Sequence, residues 1–184
     1  MKRLLILDNE LYERYLLQLC EIDRASFGSE PTPQAMQWAK AKPWMYYVLR
    51  AGEEVIGYTL VMPLREVAFN AMKKGELWEN RLQVSDVADS DPKGFYVASI
   101  AASNRMLRYS FVVGTLCGIL LGELGRCSKP VIAVPITRTG QKLAEILGMS
   151  PIPSELRITG VGGYLPRVFY KPEYEKNTPL NIGN

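Results

Sequence analysis

The stretch Val131-Ile132-Ala133-Val134-Pro135-Ile136-Thr137-Arg138-Thr139-Gly140 decides the fold, because it reads as a buried strand that contains a proline. It follows a strand that begins at Phe95 and an apolar helix that begins at Phe111, and a further helix runs on to Met149. A strand, a crossover helix and a strand in this order place two parallel strands side by side. Proline has no N–H for the ladder, so Pro135 marks a place where pairing stops. We therefore predict that the two strands diverge and leave a V-shaped cleft for an extended ligand.

The length and composition are those of a soluble globular protein. The chain has 184 residues, of which 47% are hydrophobic and 22% charged, and this suits one domain with a substantial core. We predict a single domain over residues 1–172 and a loose C-terminal tail over residues 173–184. The 22 Lys and Arg against 19 Asp and Glu give a net charge of +3. Because the basic residues are scattered, no nucleic-acid partner is expected.

The apolar segments are too short for an export signal or a membrane span. The run Leu4 to Leu7 has four apolar residues, against the roughly 7–15 that a signal peptide needs. The longest run, Phe111 to Gly122, falls below the roughly 18 residues of a transmembrane helix. We expect a cytoplasmic protein with no membrane partner. The three cysteines lack the spacing of a metal site, so no metal is expected and buried packing is the preferred role for Cys20, Cys117 and Cys127.

Histidine is absent from the chain. Its absence excludes Ser-His-Asp and Cys-His nucleophilic catalysis, HExxH zinc sites and an imidazole base. Any chemistry must therefore use carboxylates, tyrosine, serine, backbone groups or water.

Hydrophobic periodicity and turn residues predict the remaining elements. The acidic segment over residues 76–93 is predicted to be a long loop, which either attracts an amine or is only a solvated connection. The predicted elements are helices over residues 9–24, 33–40, 66–74 and 111–126, a hairpin of strands 45–50 and 55–62 that Pro63 closes, and a last hairpin of strands 157–161 and 164–171.

The order of these elements resembles that of the GNAT superfamily of N-acetyltransferases over nearly the whole chain. The most specific likeness is Thr137–Met149, which is similar to the family's segment that ends in a leucine-glycine-aromatic triplet. Ile22–Gly28 and Gly57–Leu64 are similar to its first helix and third strand. The resemblance implies an α/β fold with a mixed, mostly antiparallel central sheet, a splayed parallel pair and flanking helices. It also implies acetyl-CoA as co-substrate, with its pantetheine arm in the gap between the splayed strands.

The chain departs from the family pattern at three places. The family's pyrophosphate loop is arginine followed by alternating glycines, whereas the matching run keeps Arg108 and carries side chains at the glycine positions, namely Tyr109, Phe111 and Val113. Ala144 stands where many members have the tyrosine that protonates the leaving thiolate. Tyr96 stands on the central strand where some members have the base glutamate.

The resemblance also implies a set of site residues. Backbone N–H groups around Ala101 would polarise the thioester carbonyl, and Arg108 would hold the pyrophosphate. A water held by Tyr96 or Ser99 would remove the amine proton, although strand packing is the alternative role for both, and Glu66 is another candidate base. The predicted catalytic residues are Tyr96 and Ser99, and the predicted cofactor contacts are Ile100, Ala101, Ala102, Arg108, Tyr109, Ser110, Val113, Gly114 and Thr137.

The leading functional hypothesis is acyl-CoA-dependent N-acetyl transfer to a small amine or a peptide amine. One alternative is a catalytically inactive GNAT-fold binding module that does not use acetyl-CoA. A second alternative is an acyltransferase that uses a longer or carrier-bound acyl group. Trp38, Trp44 and Trp78 are candidates either for the acceptor pocket or for the core. Association into a homodimer is left open.

Overall fold

One seven-stranded sheet organises the chain, with the strand order β1-β2-β3-β4-β5-β7-β6. The structure, a computed structural model, describes residues 2–103, 113–118, 122, 128–156, 158, 160 and 165–173. The strands are β1 Lys2–Ile6, β2 Tyr46–Ala51, β3 Glu54–Leu64, β4 Gly94–Ala102, β5 Val131–Ala133, β6 Ser150–Pro151 and β7 Phe169–Lys171. The helices are α1 Asn9–Phe27, α2 Pro33–Ala41, α3 Glu66–Lys74, α4 over residues 113–118 and α5 Arg138–Ile146.

The sheet is mixed and mostly antiparallel. Its neighbouring strands pair antiparallel at every step except one, between β4 and β5, which run parallel. The described helices flank the sheet, so the predicted fold class is confirmed. None of the helices in the described ranges is long and apolar enough to cross a membrane.

The core lies on both faces of the sheet, because successive side chains of a strand point to opposite sides. On β4, Tyr96 packs into a core with the rings and aliphatic side chains of α1, α2 and α3. Its neighbour Val97 packs into the other core, which includes Leu116 of α4 and Ala144 of α5. The central strands are therefore covered by helices on both faces.

Helix α1 extends through Phe27, three residues beyond its predicted end. It begins at an N-cap, Asp8, whose carboxylate accepts the Leu11 N–H at 2.8 Å. It ends at Gly28, which has a φ of 79° and donates its N–H to the Arg24 carbonyl. A left-handed residue at this position is a common helix terminator, and glycine adopts it without steric cost. The extra turn carries residues that line the cavity described below.

Strand β3 runs through Pro63 to Leu64, so the prediction that Pro63 closes the hairpin is wrong. The β2 ladder stops at Leu60, where it pairs with Tyr46. The Pro63 carbonyl accepts the Ala88 N–H at 2.9 Å, so its backbone groups face the loop rather than β4. The missing N–H of proline therefore interrupts no strand pairing.

The predicted last hairpin is wrong in its described part. Residues 158, 160 and 165–168 are not in a strand, and β7 pairs instead with β5 and with Ser150–Pro151. The chain turns into β6 directly after Gly148, which has a φ of 75°. Pro166 lacks an N–H and sits inside the predicted strand, where it disfavours a continuous ladder.

The predicted loop before β4 contains two short 3₁₀ turns, Glu79–Arg81 and Val84–Asp86. Val87 forms a bridge with Leu64, which fixes the end of this loop against β3. The loop thereby holds Glu79 over the sheet.

Candidate active site

Strands β4 and β5 diverge after three paired residues. Their pairing covers Phe95–Val97 and Val131–Ala133. Beyond these, residues 98–102 of β4 have no β5 partner within the described ranges. The segment that follows β5 diverges from β4 at Val134 and Pro135. The divergence predicted from Pro135 is therefore present. Among the described residues, no strand pairs with this part of the β4 edge.

A β-bulge lies at the same point. Leu60 of β3 is opposite Ser99, but the next residue of β3, Val61, is opposite Val97. Ala98 is thus an extra residue on β4. A bulge bends its strand and redirects the adjacent backbone and side chains, so it turns β4 at the mouth of the cleft.

A cavity of about 280 Å³ occupies the cleft. One end is apolar and lies between β4 and α5, and the other end is acidic and aromatic and lies under α1 and α2. The two ends meet at Ala98, Ser99 and Ile100 of β4. The apolar end is lined by Ala133, Val134, Leu143, Ala144, Leu147 and Met149.

The N-terminus of α5 borders the apolar end. Thr137 caps this helix, since its hydroxyl accepts the Gly140 N–H at 2.9 Å. Both residues line the cavity. The positive end of the helix dipole therefore lies beside the cleft, where it favours a negative group.

Glu79 is the first of two carboxylates at the acidic end. The hydroxyl of Tyr96, which is 1% exposed, donates to Glu79 Oε2 at 2.8 Å. Burial raises the pKa of Glu79 from 4.5 to about 7, and the hydrogen bond from Tyr96 opposes this rise. A carboxylate with a pKa near neutral is suited to take a proton from an amine.

Asp23 is the second carboxylate, on the last turns of α1. Its Oδ1 accepts a hydrogen bond from the hydroxyl of Tyr58 on β3. Burial raises the pKa of Asp23 from 3.8 to about 6, and the hydrogen bond from Tyr58 opposes this rise. The group is therefore ionised near neutral pH although it is largely removed from solvent.

Aromatic side chains surround the two carboxylates. Trp38, Trp78, Tyr46 and Tyr58 line the cavity, and the rings of Tyr46 and Tyr58 have centroids 5.5 Å apart. Within the described part of the chain, the buried indole nitrogen of Trp38 has no hydrogen-bond partner, and neither has the hydroxyl of Ser26. Most buried polar atoms have a partner, so these two lack what a ligand or water would supply.

Of the predicted catalytic pair, Ser99 lines the cavity and Tyr96 does not. The hydroxyl of Tyr96 donates to Glu79 instead. Glu66, the other candidate base, is exposed and pairs with Lys93 at 3.5 Å. The base role of Tyr96 or Ser99 stays a prediction.

The predicted cofactor contacts fall into three groups. Ile100 and Thr137 line the cavity. Ala101, Ala102 and Val113 are buried in the core, and Gly114 is exposed on α4. Arg108, Tyr109 and Ser110 lie outside the described residues. A contact of any of these residues with acyl-CoA stays a prediction.

Sequence reasoning did not select Asp23 or Glu79. Glu79 does lie in the acidic segment over residues 76–93, for which the sequence predicts either attraction of an amine or only a solvated connection. A further signal is indirect. Tyr96 falls on a strand that is buried on both faces, and a buried tyrosine hydroxyl requires a partner. That requirement does not say which distant carboxylate supplies it. Of the three tryptophans, Trp38 and Trp78 line the cavity.

Solved structures share this fold, although no protein-family model and no curated protein matches the sequence. A chain of the NatC complex bound to Gag peptide and CoA superposes with a TM-score of 0.63 at 13% identity, over 94% of this chain and 99% of that one. A mosquito arylalkylamine N-acetyltransferase-like protein superposes with a TM-score of 0.62 at 13% identity, over 93% of this chain and 99% of that one. A GNAT-family acetyltransferase from Bacillus cereus superposes with a TM-score of 0.55 at 12% identity, over 95% of this chain and 99% of that one.

These likenesses establish the architecture. The chain has the fold of the GNAT acetyltransferases, with two diverging parallel strands and a cavity that joins an apolar cleft to an acidic, aromatic pocket.

Proposed function

We propose that the protein is an N-acyltransferase that moves an acetyl group from acetyl-CoA to an amine. The observation that carries the proposal is the cavity, because it joins the gap between β4 and β5 to Glu79, a partly buried carboxylate whose pKa is raised to about 7. The gap suits a slender acyl carrier, and Glu79 suits the removal of a proton from an amine.

The apolar end fits the acyl carrier. Unpaired backbone on one edge of β4 can hydrogen-bond an amide-containing chain as a missing strand would, and the apolar wall suits its methylene groups. Ser99, Ile100 and Thr137 would contact the acyl carrier, since all three line the cavity. For the pyrophosphate, Arg108 with the N–H groups near Ser110 remains the prediction from sequence. The structural neighbour NatC was solved with CoA bound, which supports CoA as the kind of carrier that this fold accommodates.

The acidic end fits the acceptor. Glu79 would take one proton from the ammonium form of the amine, whose nitrogen then attacks the thioester carbonyl. The new C–N bond forms while N–H groups of β4 near the Ala98 bulge stabilise the oxyanion. The C–S bond then breaks, the thiolate takes up the second proton that the attacking nitrogen loses as it becomes an amide, and Glu79 releases its proton to solvent. An amine acceptor is in keeping with two structural neighbours, an arylalkylamine N-acetyltransferase-like protein and a complex bound to a peptide.

Two measurements on the same protein test the proposal. Acetyl-CoA should raise the melting temperature, because a ligand of the native state stabilises it by mass action. A panel of primary amines should then yield acetylated product, detected by mass spectrometry and by release of free thiol. Glu79→Gln should lower kcat/KM by roughly 10²–10⁴-fold, the usual contribution of a general base.

The matched control is Glu76→Gln in the same loop. Glu76 is exposed and pairs with Lys74 at 3.6 Å, so its replacement should leave the rate unchanged. A melting temperature that acetyl-CoA does not move, in a normally folded protein, would contradict the proposal. That result would instead support a binding module that does not use acetyl-CoA.

A further inference from the structure

Asp23 faces the cavity but has no role in the proposed transfer. It lies on α1, and Glu79 lies in the loop before β4. Each carboxylate accepts a hydrogen bond from a buried tyrosine, Tyr58 on β3 for Asp23 and Tyr96 on β4 for Glu79. Two neighbouring strands thus hold two carboxylates at one end of the same cavity.

Among the residues that the structure describes, neither carboxylate has a basic side chain as a partner. In the described ranges, no lysine or arginine nitrogen lies within 4.0 Å of Asp23 or Glu79. Each of them instead has one tyrosine hydroxyl as its partner. An anion removed from water without a counter-ion is costly. A cationic guest in the cavity supplies the missing positive charge.

The aromatic side chains fit the same kind of guest. Tyr46, Tyr58, Trp38 and Trp78 line the acidic end, and aromatic faces attract an alkylammonium group through their quadrupoles. Their carbon surfaces also accommodate methylene groups. The pocket therefore combines what an ammonium group needs with what an alkyl chain needs.

The unpartnered polar atoms point independently to an occupant. Trp38 is 1% exposed and lines the cavity, and its indole N–H has no acceptor among the residues that the structure describes. The Ser26 hydroxyl is also unpartnered and lies one turn after Asp23 on the same side of α1. An ammonium group at Asp23 can donate to Ser26 Oγ as well. A water or heteroatom brought in with the guest can accept from Trp38.

We propose that the acceptor is a diamine, whose reacting amino group lies at Glu79 and whose second amino group, as an ammonium ion, pairs with Asp23. This proposal rests on the proposed function and names its substrate class. Glu79 takes one proton from the reacting end, the amide C–N bond replaces the thioester C–S bond, and the thiolate takes up the second proton that the reacting nitrogen loses. Glu79 then releases its proton to solvent. The ammonium group at Asp23 is unchanged throughout. The organic product thus carries one positive charge where the diamine carried two.

The closing experiment compares linear diamines, from ethylenediamine to hexamethylenediamine, with the monoamines of the same chain length. With acetyl-CoA and the full chain, the best diamine should exceed its monoamine in kcat/KM by about tenfold or more, the size of one charge-assisted hydrogen bond. The ratio of the two kcat/KM values must exceed two, because a diamine has two reactive ends and would be twice as reactive without any recognition of its second amino group. The product should be monoacetylated, because acylation removes one of the two charges that the site recognises.

Asp23→Asn keeps the shape of the side chain and removes its charge. It should reduce the diamine preference to about twofold while activity toward monoamines persists, because Glu79 is still present. Tyr58→Phe removes only the hydroxyl that donates to Asp23 and should keep most of the preference. The control on the same helix is Glu13→Gln, an exposed residue that pairs with Lys40 at 2.9 Å, which should behave as the wild type.

The outcomes separate this proposal from the proposed function. Equal rates with diamines and monoamines in the wild type would overturn the diamine assignment and leave the transferase standing, and this comparison needs no variant. An undiminished preference in Asp23→Asn would also overturn it. If no amine is acetylated, the proposed acetyltransferase function is rejected. The melting temperatures measured with each amine then test whether a diamine binds at Asp23. A larger shift with the diamine that is lost in Asp23→Asn supports the site, and equal shifts refute it.

Discussion

The hydroxyl of Tyr96 donates to Glu79 Oε2 at 2.8 Å and so joins the central strand β4 to the loop that precedes it. Tyr96 stands where the sequence resemblance places a base glutamate, and the structure brings a glutamate to that tyrosine from seventeen residues earlier in the chain. The strand residue therefore positions the carboxylate rather than supplying it.

The pH dependence of transfer should report this pair. We expect kcat/KM to fall on the acid side with an apparent pKa of about 7, because Glu79 must be ionised to accept a proton. The Tyr96 hydroxyl lowers the pKa of Glu79, so Tyr96→Phe should move this limb to higher pH. Rates measured from about pH 5 to 9, with an acceptor whose own pKa lies far from this limb, give the comparison. Tyr12→Phe, at a residue outside the cavity lining, is the control, and an unmoved limb in Tyr96→Phe would argue against the assignment.

The stability of the protein should also depend on Glu79. Its folded pKa of about 7 lies above the ordinary 4.5, so the folded state binds more protons than the unfolded state between these values. The free energy of unfolding therefore falls as pH rises through this window. Asp23 acts in the same sense between 3.8 and about 6. Urea titrations should show a shallower fall for Glu79→Gln than for wild type or Glu76→Gln, and identical slopes would contradict the buried-carboxylate interpretation.

Gly94 is needed where β4 begins because its neighbours leave no room for a side chain. A Cβ there would lie 2.6 Å from the Pro130 carbonyl oxygen and would also clash with the Phe69 ring. Gly94→Ala should lower the free energy of unfolding by about 1–3 kcal/mol. Gly118 is an exposed, helical position where a Cβ would meet nothing within 4 Å, so Gly118→Ala should raise the same quantity by up to ~1 kcal/mol. Effects of the same sign in both variants, measured by chemical unfolding, would contradict this account.

Thr137 should contribute to stability through its cap on α5. Its hydroxyl accepts the Gly140 N–H at 2.9 Å, and loss of such a cap costs about 1 kcal/mol. Thr137→Ala should therefore show that loss in chemical unfolding, whereas Thr137→Ser keeps the hydroxyl and should lie close to the wild type. If the serine variant is as unstable as the alanine variant, the threonine methyl group rather than the cap is responsible.

Most elements of the fold were predictable because their signals are local. The helix over residues 66–74 was predicted to the residue, since Glu66 begins it and Gly75 ends it with a φ of 81°. The last hairpin was mispredicted because β7 finds its partners across the sheet, in β5 and in Ser150–Pro151. Short strands carry too little periodicity to reveal such partners.

The sequence by itself determined the order of elements and the place where two parallel strands part, because proline lacks an N–H wherever it occurs. Only the tertiary structure decided which groups meet in the resulting cavity. Asp23 from a helix end and Glu79 from a loop come together under Tyr58 and Tyr96. Their raised pKa values come from burial, and burial is a property of the packed chain rather than of any local run of residues.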